Sequence, residues 1–247
     1  MDYILIISFF VIAAVYASVG FGGGTSYLAL MAVMMVPFEL MRPAALLCNL
    51  VVVTGGCIIF YREGLLEIRR IWPFLVFSVP MAFLGGYYPI QEQAFFRILG
   101  VTLVAAAFLL WFFDRYPDPA TEGDRNPLVA GSLLGGGIGF LSGLVGIGGG
   151  IFLSPLLHFL RWDSARRISA VASAFIFVNS LSGLAGQFSR AAEIDFSLLI
   201  PLLLAVLAGG QLGSRWGAKK FQAGHIRKVT AVLILIAGAN ILINHWS

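Results

Sequence analysis

Charged residues cut the chain into eight long uncharged stretches, at 3–38, 43–61, 71–91, 98–113, 126–160, 168–189, 196–214 and 229–247, and the order of their lengths repeats halfway along. Each half opens with a run of 36 or 35 residues. As one helix such a run would be roughly 54 Å long, against about 30 Å for the hydrocarbon core of a bilayer. Each run must therefore break, and each carries a glycine cluster that marks where. Gly20-Phe21-Gly22-Gly23-Gly24 and Gly146-Ile147-Gly148-Gly149-Gly150 lie 126 residues apart. The pattern predicts a short helix after each cluster, over 25–36 and 151–160, and so five apolar segments per half. Phe60-Tyr61-Arg62 against Phe188-Ser189-Arg190, Pro73 against Pro201, and Gly85-Gly86 against Gly209-Gly210 recur at a similar offset. Between the halves, DRYPDPATEGDRNP at 114–127 has the charges and prolines of a linker. The division predicted is a first transmembrane repeat over 1–113, a cytoplasmic linker over 114–127 and a second repeat over 128–247.

Composition turns this pattern into a fold class. Hydrophobic residues make up 59% of the chain and charged ones 11%, where soluble proteins carry about a quarter charged. An all-α polytopic membrane protein is predicted, and no stretch is left for a separate soluble domain. Soluble enzymes and nucleic-acid binders are excluded, and the pI near 9.3 reads as membrane topology. Cys48 and Cys57 on one helix would stand about 13.5 Å apart along its axis, beyond disulfide reach. Met1-Asp2-Tyr3 lacks the basic start of a signal peptide, so the first segment is expected to stay as a mature helix.

Lysine and arginine orient the segments. If all ten change sides, the loops carrying Arg62, Arg69 and Arg70; Arg115 and Arg125; Arg161, Arg166 and Arg167; and Arg215, Lys219, Lys220, Arg227 and Lys228 share the cytoplasmic side, thirteen basic residues in all. Arg42, Arg97 and Arg190 remain outside, and both termini face the periplasm. Five crossings per half are odd in number, so the second repeat is inverted relative to the first.

Broken helices near a bilayer midplane offer free N–H groups and positive dipole ends to anions. The clusters Gly20, Gly22, Gly23, Gly24 and Gly146, Gly148, Gly149, Gly150 fit that role, with Thr25, Ser26 and Ser154 as neighbouring hydroxyls. The competing reading is close helix packing, since both clusters, Gly135-Gly139-Gly143 and Gly209-Gly213 all have GxxxG spacing. Asn49 and Asn179, each buried in the helix after a short segment, either contact substrate or join helices. Arg166 and Arg167 either gather anions at a cytoplasmic vestibule or serve topology alone. Catalysis is not indicated: Gly139 and Ser142-Gly143 miss the GxSG spacing of an intramembrane serine protease. No metal or cofactor ligand set is present. The absence of acids from the core stretches argues against a cation channel or carboxylate proton relay.

VGFGGGTSYLAL at 19–30 and VGIGGGIFLSPLL at 145–157, with RPAALLCNLVVVTGG at 42–56, RRISAVASAFIFVNSLSGLAG at 166–186 and the basic segment near 215–228, resemble the sulfite exporter TauE/SafE family of bacterial permeases over essentially the whole chain. The resemblance implies a secondary transporter in the bacterial inner membrane. Its expected substrate is a small sulfur-containing anion such as sulfite, thiosulfate or a sulfonate, exported at the expense of a proton or sodium gradient. Homo-oligomerisation stays open. Where the family often has a Thr-Ser pair early in the second-half helix, this chain has Ala172-Ser173, with Leu47-Cys48 at the matching first-half position. Fewer hydroxyls there leave room for a bulkier or less hydrated substrate. An anion channel, or a membrane assembly subunit whose glycines only pack helices, are the alternatives.

Overall fold

Both long runs break at the glycines. In a computed structural model of the protein, which describes residues 2–18, 20–113, 128–160, 162–189, 196–220 and 223–245, α1 (Asp2–Ala17) ends before the first cluster and α2 (Gly24–Val33) starts on its last glycine. In the second half, α6 (Leu128–Val145) and α7 (Gly150–Phe159) repeat the arrangement. The N-cap residues Gly23 and Gly149 have φ of 87° and 80°, a region where a Cβ crowds the backbone. That conformation lets the chain reverse instead of continuing the helix. The clusters are thus turns, not helical GxxxG faces. α2 stops three residues short of the expected 36, because Met35 takes a positive φ of 54° in the turn that closes it.

The remaining helices are α3 (Phe38–Arg62), α4 (Ile68–Tyr87), α5 (Glu92–Phe113), α8 (Ala165–Phe188), α9 (Phe196–Lys220) and α10 (Ala223–His245). Among the described residues there is no strand. Among the described residues, five helices (Phe38–Arg62, Ile68–Tyr87, Glu92–Trp111, Ala165–Phe188 and Ser197–Arg215) are long and apolar enough to cross a bilayer. Arg42 and Arg97, expected in loops, lie inside α3 and α5. The predicted linker 114–127, with Arg115 and Arg125, falls outside the described residues, as do Arg161 and the segment holding Arg190, Glu193 and Asp195.

Each half gives its fourth helix to the other. α4 packs on α6 and α8, and α9 packs on α1 and α3. α10 lies against α2, α5 against α7, and the pairs α3/α8 and α5/α10 join equivalent helices. Exchanging the two halves therefore maps this set of neighbours onto itself. Lipid tails are as apolar as leucine, so such helices associate through close van der Waals contact at small residues. Gly135, Gly139 and Gly143 of α6 face the carbonyls of Phe74, Ser78 and Ala82 on α4, and Gly209 and Gly213 of α9 face those of Phe10 and Ala14 on α1. Here the GxxxG spacing does mean packing. Rising numbers meet rising numbers, so both pairs are parallel. In contrast, Gly100 meets Leu242 and Gly238 meets Leu103, while Leu46 meets Gly183 and Gly56 meets Ser173, so α5/α10 and α3/α8 are antiparallel.

Large apolar side chains such as Ile4, Ile7, Leu133, Leu204, Leu233 and Ile236 remain exposed, the arrangement that lipid contact requires. Trp72, Tyr87, Tyr88 and Trp111, exposed near helix ends, suit the headgroup level.

Ion pairs fix which loops share a face. Arg70 reaches Asp163 at 3.0 Å and Arg166 reaches Glu63 at 2.9 Å, joining the α3–α4 loop to the α7–α8 loop. Since α6 runs parallel to α4, the α6–α7 hairpin starts and ends on this ion-paired face. Gly20 lies against Phe60, near the end of α3, and Ser169, near the start of α8. The α1–α2 hairpin thus dips toward the ion-paired face from the opposite one.

Candidate substrate site where the two broken helices meet

The two hairpins touch at Asn49. This residue sits midway along α3, is fully buried, and donates its Nδ2 hydrogen to the carbonyl of Ile147 in the second glycine turn at 3.0 Å. A Cβ built on Gly24 would lie 2.5 Å from Asn49 Nδ2 and 2.7 Å from Ile147 O, one on Gly148 would lie 2.7 Å from Asn49 Nδ2, and one on Gly22 would strike Asn49 Oδ1. Three of the eight predicted glycines thus converge on one predicted side chain. Only residues without Cβ allow the two turns to approach so closely.

The electrostatics of this point are positive. α2 and α7 both begin here, neither with a side-chain cap, and a helix N-terminus carries about half an elementary charge. One buried hydroxyl, Ser180, lies beside it. Ser180 Oγ would be 3.2 Å from a Cβ on Gly148, and Ser142, Ser154 and Ser180 have no hydrogen-bond acceptor for their buried Oγ. Asn49 Oδ1 is likewise unpaired, a state that costs about 1–3 kcal/mol in a buried polar group. Unused polar atoms of Asn49 and Ser180 beside two helix starts are suited to a ligand.

The other predicted residues are distributed around this centre. Thr25 is buried, whereas Ser26 is half-buried with its Oγ 2.7 Å from the Tyr16 hydroxyl. Gly20 receives a hydrogen bond from Ser173 on its carbonyl, and Gly146 abuts the Arg42 backbone, 3.1 Å from its carbonyl to a built Cβ. Gly23 is backed by the Tyr27 ring, and Gly149 by Ile138 and Phe175. Gly150 faces Ile176 and the Ala172 carbonyl.

Asn179 is placed differently from Asn49. It is fully buried, donates to Phe175 O on its own helix at 2.9 Å, and leaves Oδ1 unpaired. The residue that stands to Gly148 and Gly150 as Asn49 stands to Gly22 and Gly24 is Ile176. One half contributes an amide at the centre and the other a hydrocarbon wall.

Sequence reading left Arg42 as an outside charge and Ser173 as a departure from the family's Thr-Ser pair, and did not single out Ser180. Ser173 and Ser180 are seven residues apart on α8, as Arg42 and Asn49 are on α3. A seven-residue step is nearly two turns, which keeps both members of each pair on one face, and that face meets the glycine turns. Arg166 and Arg167, one reading of which was an anion vestibule, are paired with Glu63 and with Asp163.

Comparison with known proteins identifies the family. Residues 5–241 match the family described as Sulfite exporter TauE/SafE. A probable membrane transporter, y4hK of Sinorhizobium fredii, is 32% identical over 240 residues, covering 96% of this chain and 97% of its own. A probable membrane transporter, YjnA of Bacillus subtilis, is 23% identical over 250 residues, covering 94% and 96%. No solved structure matches the chain. Two glycine-broken hairpins meeting inside a multi-pass helical membrane protein, together with a match along nearly the whole sequence, place this chain in the sulfite exporter TauE/SafE family of membrane transporters.

Proposed function

We propose that the protein is a secondary transporter, working as an exporter, of small sulfur-containing or organic anions such as sulfite, thiosulfate or sulfonates across the bacterial inner membrane. The observation that carries this reading is the convergence of the α2 and α7 starts at Asn49, with Gly24 and Ile147 in direct approach. Helix N-termini bind anions without a counter-charged side chain. A site reached by one hairpin from each face also has the form that alternating access needs. Gly20, Gly22, Gly23, Gly24, Thr25, Ser26, Asn49, Gly146, Gly148, Gly149, Gly150, Ser154 and Asn179 are the proposed substrate surroundings, and a proton or sodium gradient the proposed driving force.

Reconstituted protein should give saturable counterflow of radiolabelled sulfite or thiosulfate in liposomes. Ohmic current without counterflow would instead identify a channel, and neither flux nor binding of any of these anions would identify a packing subunit.

The repeats are taken to be inverted in the membrane, with the ion-paired face cytoplasmic and both termini periplasmic. Antiparallel packing of the equivalent pairs α3/α8 and α5/α10 supports the inversion, and the excess of basic residues supports the orientation. A reporter active only in the cytoplasm should work when fused after Lys220 and be silent after Ser247. Activity at both positions would contradict the final crossing.

A further inference from the structure

Each glycine turn has one carbonyl held by a long helix of the other half. Asn49 of α3 donates to Ile147 O in the second turn, and Ser173 of α8 donates to Gly20 O in the first. Ser173 is fully buried, and its Oγ also reaches the carbonyl of Ser169, one turn back on its own helix, at 2.9 Å. A serine hydroxyl has one hydrogen, so these two carbonyls compete for it. Back-bonding to the carbonyl four residues before is open to any helical serine, so leaving the turn does not strand the donor in the core. Asn179 shows the same fallback for an amide, donating to Phe175 O four residues before it. The other side of the Gly20 peptide is fixed as well, since the Phe21 amide donates to Tyr16 O at 2.9 Å. With a φ of 82° at Gly20, this peptide sets the direction in which the turn runs on to Gly22 and Gly24, the residues that lie against Asn49.

We propose that Ser173 is the positioning residue of the first glycine turn: its hydroxyl docks the turn on the second half by bonding Gly20, releases it by passing to Ser169, and so sets how much of the time the site at Asn49 is assembled. This rests on the anion-transport reading above and adds to it a residue that acts on the turn without touching the anion. A site assembled for only a fraction of the time binds every ligand more weakly by that same fraction. A residue that itself donated to the anion would weaken a dianion more than a monoanion when removed, because a hydrogen bond strengthens with the charge of its acceptor.

The test joins two measurements on the full chain, hydrogen/deuterium exchange in detergent and KM in proteoliposome counterflow for thiosulfate, a dianion, and methanesulfonate, a monoanion. The variants are Ser173→Ala, Ser173→Val and Ser173→Thr, of which the last two match in shape and differ by the hydroxyl. We expect Ser173→Ala and Ser173→Val to speed exchange of the amides at 20–24 about fivefold, the worth of one hydrogen bond, and to leave those at 146–150 unchanged. Both KM values should rise by one common factor of up to about fivefold. Ser173→Thr should stay within about twofold of the wild type in every measurement. Exchange at 20–24 that ignores the loss of the hydroxyl would overturn the proposal. Faster exchange with both KM values unchanged would mean a structural staple, and a thiosulfate KM raised several times more than that of methanesulfonate would mean a substrate ligand; either result also overturns it. Should Ser173→Ala and Ser173→Val fail to accumulate in the membrane, Ser173→Thr decides, since fivefold faster exchange with the hydroxyl kept overturns the proposal and wild-type exchange supports it. A wild type that carries no anion sinks the transport reading, whereas the exchange rates still report whether Ser173 docks the turn.

Discussion

Gly24→Ala and Gly148→Ala should each abolish counterflow in a protein that still folds and reaches the membrane. The added methyl of Gly24→Ala would sit 2.5 Å from Asn49 Nδ2 and 2.7 Å from Ile147 O, and that of Gly148→Ala 2.7 Å from Asn49 Nδ2. Atoms cannot remain at those separations, so Asn49 must swing away or the two turns must part. Either movement dismantles the point where the helix starts converge. At Gly148 the φ of 84° adds strain of about 1–3 kcal/mol for a residue with a Cβ. The whole fold should survive, because the strain falls on turn residues and a single side chain. Gly23→Val and Gly149→Val, which penalise the positive φ of the two N-caps and press on Tyr27 or on Ile138 and Phe175, should behave alike. The control is Gly137→Ala, where a Cβ meets nothing within 4 Å and transport should persist. Wild-type counterflow in both Gly24→Ala and Gly148→Ala would move the substrate site elsewhere.

A larger effect on stability is expected from Gly143→Leu. A Cβ at this position would collide with the backbone carbonyl of Ala82 and come within 2.9 Å of the amide of Gly86. Neither is the tip of a flexible side chain, and both belong to the rigid backbone of α4. The helices can relieve the clash only by separating, and Gly135 and Gly139 would then lose their contacts with Phe74 and Ser78. Overpacking a well-filled core usually costs about 1–3 kcal/mol, and here relaxation is limited to whole-helix motion, so the loss should reach the upper end or exceed it. In detergent, Gly143→Leu should elute as aggregate or lose its folded peak many degrees below the wild type. Gly137→Ala, on the open face of the same helix, should be neutral or stabilising by up to about 1 kcal/mol through helix propensity. A native melting temperature for Gly143→Leu would show that α4 and α6 pack less closely than described.

Much of the architecture was legible in the residue pattern. Length forced the breaks, because 36 uncharged residues cannot span a 30 Å core as one helix, and glycine clusters are the residues that tolerate the reversed backbone. The recurrence of break, short helix and long helix disclosed two related halves. The stripe at Gly135, Gly139 and Gly143 announced a close helix contact, since small residues four apart share one helix face. These are local signals, set by length, period and backbone freedom.

The tertiary structure decided what those elements do to one another. Nothing local distinguishes Asn49 from Asn179: each is one amide in an apolar helix. Only packing brings Asn49 to the carbonyl of Ile147, 98 residues away, while Asn179 turns to its own helix and Ile176 takes the place opposite Gly148 and Gly150. In the same way, Arg42 read from the sequence is a charge in an outside loop, but Pro37 starts α3 early enough to carry it into the helix and onto the ends of α4 and α6. The exchange of fourth helices between the halves was equally invisible, because a glycine stripe tells that a partner backbone must come close without telling which helix supplies it. That choice follows from the shape of every surface in the bundle at once, and no stretch of chain carries it alone.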